Sequence, residues 1–119
     1  MIRDVTDLDV YKLSLNLLED LYPLFNKVPA SEYDSVKQCK RSAKSVPANL
    51  AEGFAKRSSA AEFKRFLKIA IASSDETITH LRMIAIVVPR LKSNALEFAD
   101  NYKVLSKRIN KLHKIWNSG

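Results

Sequence analysis

From Leu91 to Trp116 the apolar residues step four, three, four, three without a break: Leu91, Ala95, Phe98, Tyr102, Leu105, Ile109, Leu112 and Trp116. Such a seam lies along one side of an α-helix and suits a partner helix crossing at a shallow angle. A strand would scatter the same residues over both of its faces. Lys103, Lys107, Lys111 and Lys114 fall on the opposite side. The pattern predicts a helix over about 93–117, and such a helix needs other helices to cover its seam.

Three more amphipathic segments are available. The first is predicted over about 7–28. Leu8, Tyr11, Leu15, Leu18, Tyr22 and Phe25 form one face, and a second set (Val10, Leu17, Leu21, Leu24, Val28) widens the apolar arc. Asp7 and Asp9 suit the positive end of its dipole, and Pro23 predicts a late kink. After the loop Pro29-Ala30-Ser31 the second segment begins near Glu32 or Tyr33, with Val36, Cys39, Ala43, Val46, Leu50 and Phe54 inward. Pro47 predicts another kink, with nearby Ser or Asn side chains to satisfy the groups it frees. The third runs from a Ser59 cap to about Val88 and is stopped by Pro89. Its inner face is Phe63, Phe66, Leu67, Ala70, Thr77, Ile78, Leu81, Ile84, Ala85 and Val88. Ser73, Ser74 and Thr77 in or beside that face let another helix come close. Ile69, Ile86 and Val87 fall outside it, an exposure that a subunit interface would relieve. Two glycines and four prolines leave little turn material for strands. Short connections suit antiparallel neighbours, so the chain reads as one all-α domain, 1–119, an antiparallel up-down four-helix bundle.

Residues 46–76, VPANLAEGFAKRSSAAEFKRFLKIAIASSDE, carry the most specific signal. Ser59, three residues before Glu62, reads as a capping box, and Gly53 stands where the second helix should bend or stop. Asn49-Leu50-Ala51-Glu52-Gly53, then Arg57-Ser58, then Glu62-Phe63-x-x-Phe66-Leu67-x-Ile69-Ala70-x-x-Ser73 form one composite pattern. In it the chain resembles the bacterial four-helix bundle proteins first noticed as reading frames inside intervening sequences of large-subunit ribosomal RNA. The resemblance spans nearly the whole chain. It implies a homopentameric ring, and kinship with the accessory variability determinant of diversity-generating retroelements, which binds nucleic acid and a cognate reverse transcriptase. Ala72 stands where that family often has glycine, and Tyr11 where it has tryptophan; neither change touches the basic residues. Asn49, Glu52, Gly53, Ser59, Glu62 and Glu76 are read as structural motif positions. Glu52 and Glu76 are expected to pair with Arg41, Arg57 or a helix terminus.

Charge gives the functional signal. Twenty Lys and Arg against 13 Asp and Glu leave a net +7, an electrostatic footprint that suits nucleic acid. Lys37, Lys40, Arg41 and Lys44 recur at three and four on the second helix with no acid interleaved. Lys56, Arg57, Lys64, Arg65 and Lys68 repeat the sign around the next junction. Several such charges on one surface displace counterions from phosphates and bind them in a salt-dependent way. Aromatic side chains are scarce on these faces, which favours backbone and shape recognition of structured RNA or DNA over reading of unpaired bases. The resemblance adds a reverse transcriptase as a possible partner. The alternative is a structural or protein-interaction module whose charge serves solubility or docking to an acidic protein.

Catalytic and cofactor chemistry find little to stand on. His80 and His113 lie on different helices, and Glu76-x-x-x-His80 lacks both the spacing and the mate of a two-metal bundle site. One internal glycine cannot build a phosphate loop. Cys39, on an apolar face, reads as a small buried hydrophobe. The expectation is a protein that is not an enzyme, with no metal and no cofactor. A lone cysteine, the lack of a signal-like N-terminus and the lack of an apolar run near 20 residues predict a cytoplasmic protein without membrane contact.

Overall fold

The structure is a computed structural model that describes residues 2–117. Its helices are α1 (Asp9–Asn26), α2 (Tyr33–Ala55), α3 (Ala60–Val87) and α4 (Lys92–Ile115), with short 3-10 turns at Val5–Asp7, Ala30–Glu32 and Pro89–Leu91. There is no strand among the described residues, and no helix is long and apolar enough to cross a membrane.

The helix ends follow from caps and prolines. Asp7 does not open α1 as its sequence position suggests. Its carboxylate accepts the backbone N–H groups of Arg3 and Asp4 at 2.9 and 3.0 Å, while Asp4 accepts that of Thr6. That reciprocal box closes a separate turn, and α1 starts two residues later. Ser59 caps α3 by accepting the Glu62 N–H at 3.2 Å. The expected return arm of the box is missing, because the Glu62 carboxylate is taken by the Arg65 guanidinium at 3.0 and 3.4 Å. Pro89 ends α3 and opens the next turn.

Cross-helix contacts fix the topology. Arg41 meets Glu76, Ser42 meets Thr77 and Ser45 meets Ser73, so α2 and α3 run antiparallel. Ser74 meets Ser106 and Phe63 meets Trp116, so α3 and α4 do the same. Leu17 shares a groove with Val104, and Pro23 shares another with Asn94, which sets α1 antiparallel to α4. The result is an elongated four-helix bundle of 46 × 20 × 19 Å.

The inner faces of α2, α3 and α4 match their periodicity. Phe63, Leu67, Leu81, Ile84, Leu105 and Ile109 are fully buried, as are Cys39, Ala43, Val46 and Leu50 of α2. On α1 both apolar sets contribute to the core. Val10, Leu17, Leu21 and Leu24 of the second set are buried together with Leu8 and Phe25 of the first, whereas Leu15 is 40% exposed. Both stripes are apolar, and the positions of α2 and α4 decide which members of each are covered.

Gly53 also departs from its sequence reading. α2 continues past it to Ala55, and its φ is not positive. What the position needs is room: a Cβ there would stand 2.6 Å from the Cβ of Phe66 and 3.2 Å from Cδ1 of Phe63. The missing side chain lets the end of α2 lie against the start of α3. Pro47 sits buried in α2 with the helix continuous around it. Asn49 donates its amide to the Ser45 carbonyl and hydroxyl at 2.8 and 2.9 Å, not to Ala43, whose carbonyl the proline deprives of its helical donor.

Candidate nucleic-acid interface

The second helix carries its cations outward because its inner face is fully committed to the core. Tyr33, Lys37, Gln38, Lys40, Arg41 and Lys44 line a shallow groove of about 320 Å³ on that outer side. The members are held differently. The Lys40 ammonium lies 5.0 Å from the centre of the Tyr22 ring and 5.7 Å from that of Phe25, so it leans toward α1. Arg41 leans the other way and reaches Glu76 of α3 at 3.5 Å. Glu76 also meets His80 at 3.2 Å. The absence of an acid four residues along α2 thus did not leave Arg41 unpaired, since its partner comes from another helix. Lys37, Lys40 and Lys44 have no ion-pair partner among the described residues.

The remaining candidates do not extend this groove. From Lys44 to Lys56 the chain climbs about 18 Å along α2. The outer stripe between them is Ala48, Ala51, Glu52 and Ala55. At the junction, Lys56 and Arg65 both sit on the Phe66 ring, 4.9 and 4.4 Å from its centre. Arg57 stacks 4.0 Å over Phe54 and donates to that residue's carbonyl at 3.1 Å. Two of these cations already have carboxylates. Glu52 pairs with Lys56 at 3.9 Å, not with Arg57, and Glu62 pairs with Arg65. The same pairing lowers the Glu62 pKa and raises that of Arg65.

Lys64 and Lys68 form a third group on the flank toward α4. They lie beside His113, whose pKa is lowered by its partial burial and then by the charges of Lys68 and Lys64. The nine candidates are therefore brought together as three clusters: the α2 groove, the junction, and the α3–α4 flank. A gap of about 18 Å exceeds the screening length of about 8–10 Å at ordinary salt. A small anion would feel one cluster, whereas a polyanion could span two.

Asn49, Gly53 and Ser59 serve the fold: they tie down α2, permit the close helix approach, and cap α3. Three site residues escaped the sequence reading. Tyr33 is 60% exposed within the α2 groove, and the spacing 33, 37, 40/41, 44 placed it on the same stripe as the cations. Gln38 lines the groove as well. His113 could be joined to Lys64 and Lys68 only once α4 was seen to run antiparallel to α3.

Cys39 is fully buried, and burial pushes its thiol pKa up to about 12, far from a nucleophile's range. No group of three or more His, Cys, Asp or Glu side chains that could hold a metal ion occurs among the described residues. A comparison with curated proteins finds no match. Residues 6–118, nearly the full length, match the model of a family described as 23S rRNA-intervening sequence protein. The composite motif at 46–76 and the four-helix bundle agree with that match, and the chain belongs to the 23S rRNA-intervening sequence protein family.

Proposed function

We propose that this protein is a non-enzymatic nucleic-acid-binding accessory protein that works as a basic homo-oligomeric scaffold. The observation that carries the reading is the outer stripe of α2, where Lys37, Lys40 and Lys44 stand without ion-pair partners among the described residues. Leaving three cations unpaired on one helix face is unfavourable for the isolated chain, and a phosphate backbone relieves it. The junction and flank clusters offer further contacts to a ligand long enough to reach them. Structured RNA is the preferred ligand, held by its backbone.

Self-association is supported by α3. Ile86 is 76% exposed with Met83 and Val87 exposed beside it, and Ile69 is exposed about 25 Å further back along the same helix. The outer stripe Ile69, Ala72, Glu76, Thr79, Met83, Ile86 holds one charge, which Arg41 and His80 already face. Copies of a +7 chain could meet there without surplus repulsion. A ring of five and a reverse transcriptase partner rest on likeness to the accessory variability determinants. The same apolar stripe favours a second reading, a protein-interaction module of the intervening-sequence element with no nucleic-acid role.

The test is a mobility-shift titration of the purified protein with structured RNA and with duplex DNA at low and moderate salt, alongside light scattering for mass. Binding should fall steeply with salt, and Lys37→Glu/Lys44→Glu should weaken it with the oligomer intact. An intact oligomer that binds neither nucleic acid at low salt refutes the nucleic-acid reading and leaves the interaction module. A monomer at working concentration refutes the scaffold.

A further inference from the structure

We infer that the α2 groove is a site for one unpaired nucleotide, its base stacked on Tyr33 and its flanking phosphates held by Lys37, Lys40, Arg41 and Lys44. The inference rests on the nucleic-acid reading above and amends its expectation of backbone recognition alone, because the groove holds one exposed ring, Tyr33.

The chain has ten aromatic side chains, five Phe, four Tyr and one Trp. Nine are buried or half-buried; Tyr33 alone is exposed, and it opens α2 at one end of the groove. A lone exposed tyrosine is ordinary. Its company is what signifies: four cations and an amide share its groove of about 320 Å³, near the lower bound of small-ligand sites. Groups of this kind bind nucleic acid in a division of labour. Cations hold the backbone, and a flat ring stacks on whichever base is free.

The charge order along the helix gives the ligand a direction. Glu32 and Asp34 flank Tyr33 at the start of α2 and repel phosphate there. The cations follow at Lys37 and beyond. An uncharged base therefore belongs at Tyr33, and the phosphates belong at Lys37–Lys44. Gln38 lies between them with an amide that can both donate to and accept from a base edge. The rings beneath Lys40 are not available for stacking, since Tyr22 and Phe25 face each other edge-on at 5.8 Å and are covered by the ammonium. A paired base cannot reach Tyr33 without leaving its helix, so the fitting target is a bulge, loop or end beside a stem.

The experiment uses the full chain and two RNA hairpins that differ by one bulged 2-aminopurine, titrated at low salt with fluorescence and anisotropy read together. The wild type should bind the bulged hairpin more tightly and change the 2-aminopurine emission on binding. Tyr33→Ala should weaken the bulged complex roughly 5- to 150-fold, the range for loss of one base stack. It should leave the paired hairpin's affinity unchanged, and Tyr33→Phe should behave as wild type. Equal affinity of the wild type for both hairpins, or an unchanged bulged complex with Tyr33→Ala, overturns the inference while the nucleic-acid reading stands. A Tyr33→Ala change in oligomer mass with unchanged RNA affinity overturns it in favour of a protein contact. Failure of the wild type to bind either hairpin removes both readings.

Discussion

Replacing Gly53 by Ala separates two accounts of the same residue by the sign of one number. Were Gly53 a loose helix end, alanine at its ordinary helical φ would stabilise by about 1 kcal/mol through helix propensity. The structure demands the opposite. The added Cβ would meet the Phe66 Cβ at 2.6 Å, and that atom is fixed to the backbone of α3, so no rotamer change moves it away. Phe63 Cδ1 at 3.2 Å closes a second side. Overpacking of this kind costs about 1–3 kcal/mol, and the rigidity of the contact argues for the upper end. After the gain in propensity the net loss is about 2 kcal/mol, equivalent to a fall of roughly 8 °C in Tm for a chain of this length. Urea unfolding of wild type and Gly53→Ala at one protein concentration measures it, the concentration being held because assembly shifts apparent stability. A variant as stable as the wild type, or more so, refutes the packing account.

Other expectations follow from single groups. Cys39 should resist thiol-modifying reagents in the native protein and react fully in denaturant, because burial pushes its pKa up to about 12; rapid native labelling would show that the α2 core opens. Tyr102 is fully buried with its hydroxyl unpartnered among the described residues, so Tyr102→Phe should be neutral or stabilising by up to about 1 kcal/mol in the same urea assay. A clear loss would mean that the hydroxyl has a partner. His113 is held below its ordinary pKa of 6.5 by burial, Lys68 and Lys64. Its unfolded form therefore takes up protons first, and this contribution to stability should decline as pH drops below that value toward the folded pKa. Lys68→Gln should raise the His113 pKa in an NMR titration of the imidazole, and an unchanged pKa would place the lysine elsewhere. The carboxylates of Asp4, Asp7 and Glu62 are all lowered, chiefly by hydrogen bonds from Thr6, the Arg3 N–H and Arg65 respectively. The turn held by Asp4 and Asp7 should stay closed above the ordinary carboxylate range and fray below it, visible as faster amide exchange at Asp4 and Thr6, while the Glu62–Arg65 pair loosens over the same range with the Ser59 cap of α3 intact.

The fold was legible where a single apolar stripe left no choice. The inner faces of α2 and α3 are buried as their spacing requires, and of the four-three seam of α4 Leu91, Ala95, Tyr102, Leu105 and Ile109 are buried while Phe98, Leu112 and Trp116 pack half-buried against the core. α1 was ambiguous because two apolar stripes share it, and only the neighbouring helices select which members of each are covered. Gly53 and Glu62 were misread for a related reason. A glycine near a junction and a glutamate three residues after a serine have local explanations, but Phe66 and Arg65 had the stronger claim on them. The candidate interface was legible in its residues and not in its layout. Runs of lysine are visible in sequence, whereas the gap between clusters, the capture of Arg41 by Glu76 and the place of His113 depend on how antiparallel helices align.

That alignment has a consequence for the cations. Hydroxyl groups bridge α3 to both neighbours: Ser42–Thr77 at 2.8 Å and Ser45–Ser73 at 2.8 Å on one side, Ser74–Ser106 at 2.7 Å on the other. Apolar faces alone would tolerate a slide of one turn, about 5.4 Å, since each leucine would find another hollow. The hydroxyls resist it, because such a slide breaks every bond between helices and leaves Ser42 and Thr77 only the carbonyls of their own helices, Cys39 and Ser73. They act as detents on a sliding rule. Each click of the rule carries Arg41 off Glu76 and Lys56 off Phe66, so buried serines with no contact to any ligand set the spacing at which the surface meets one.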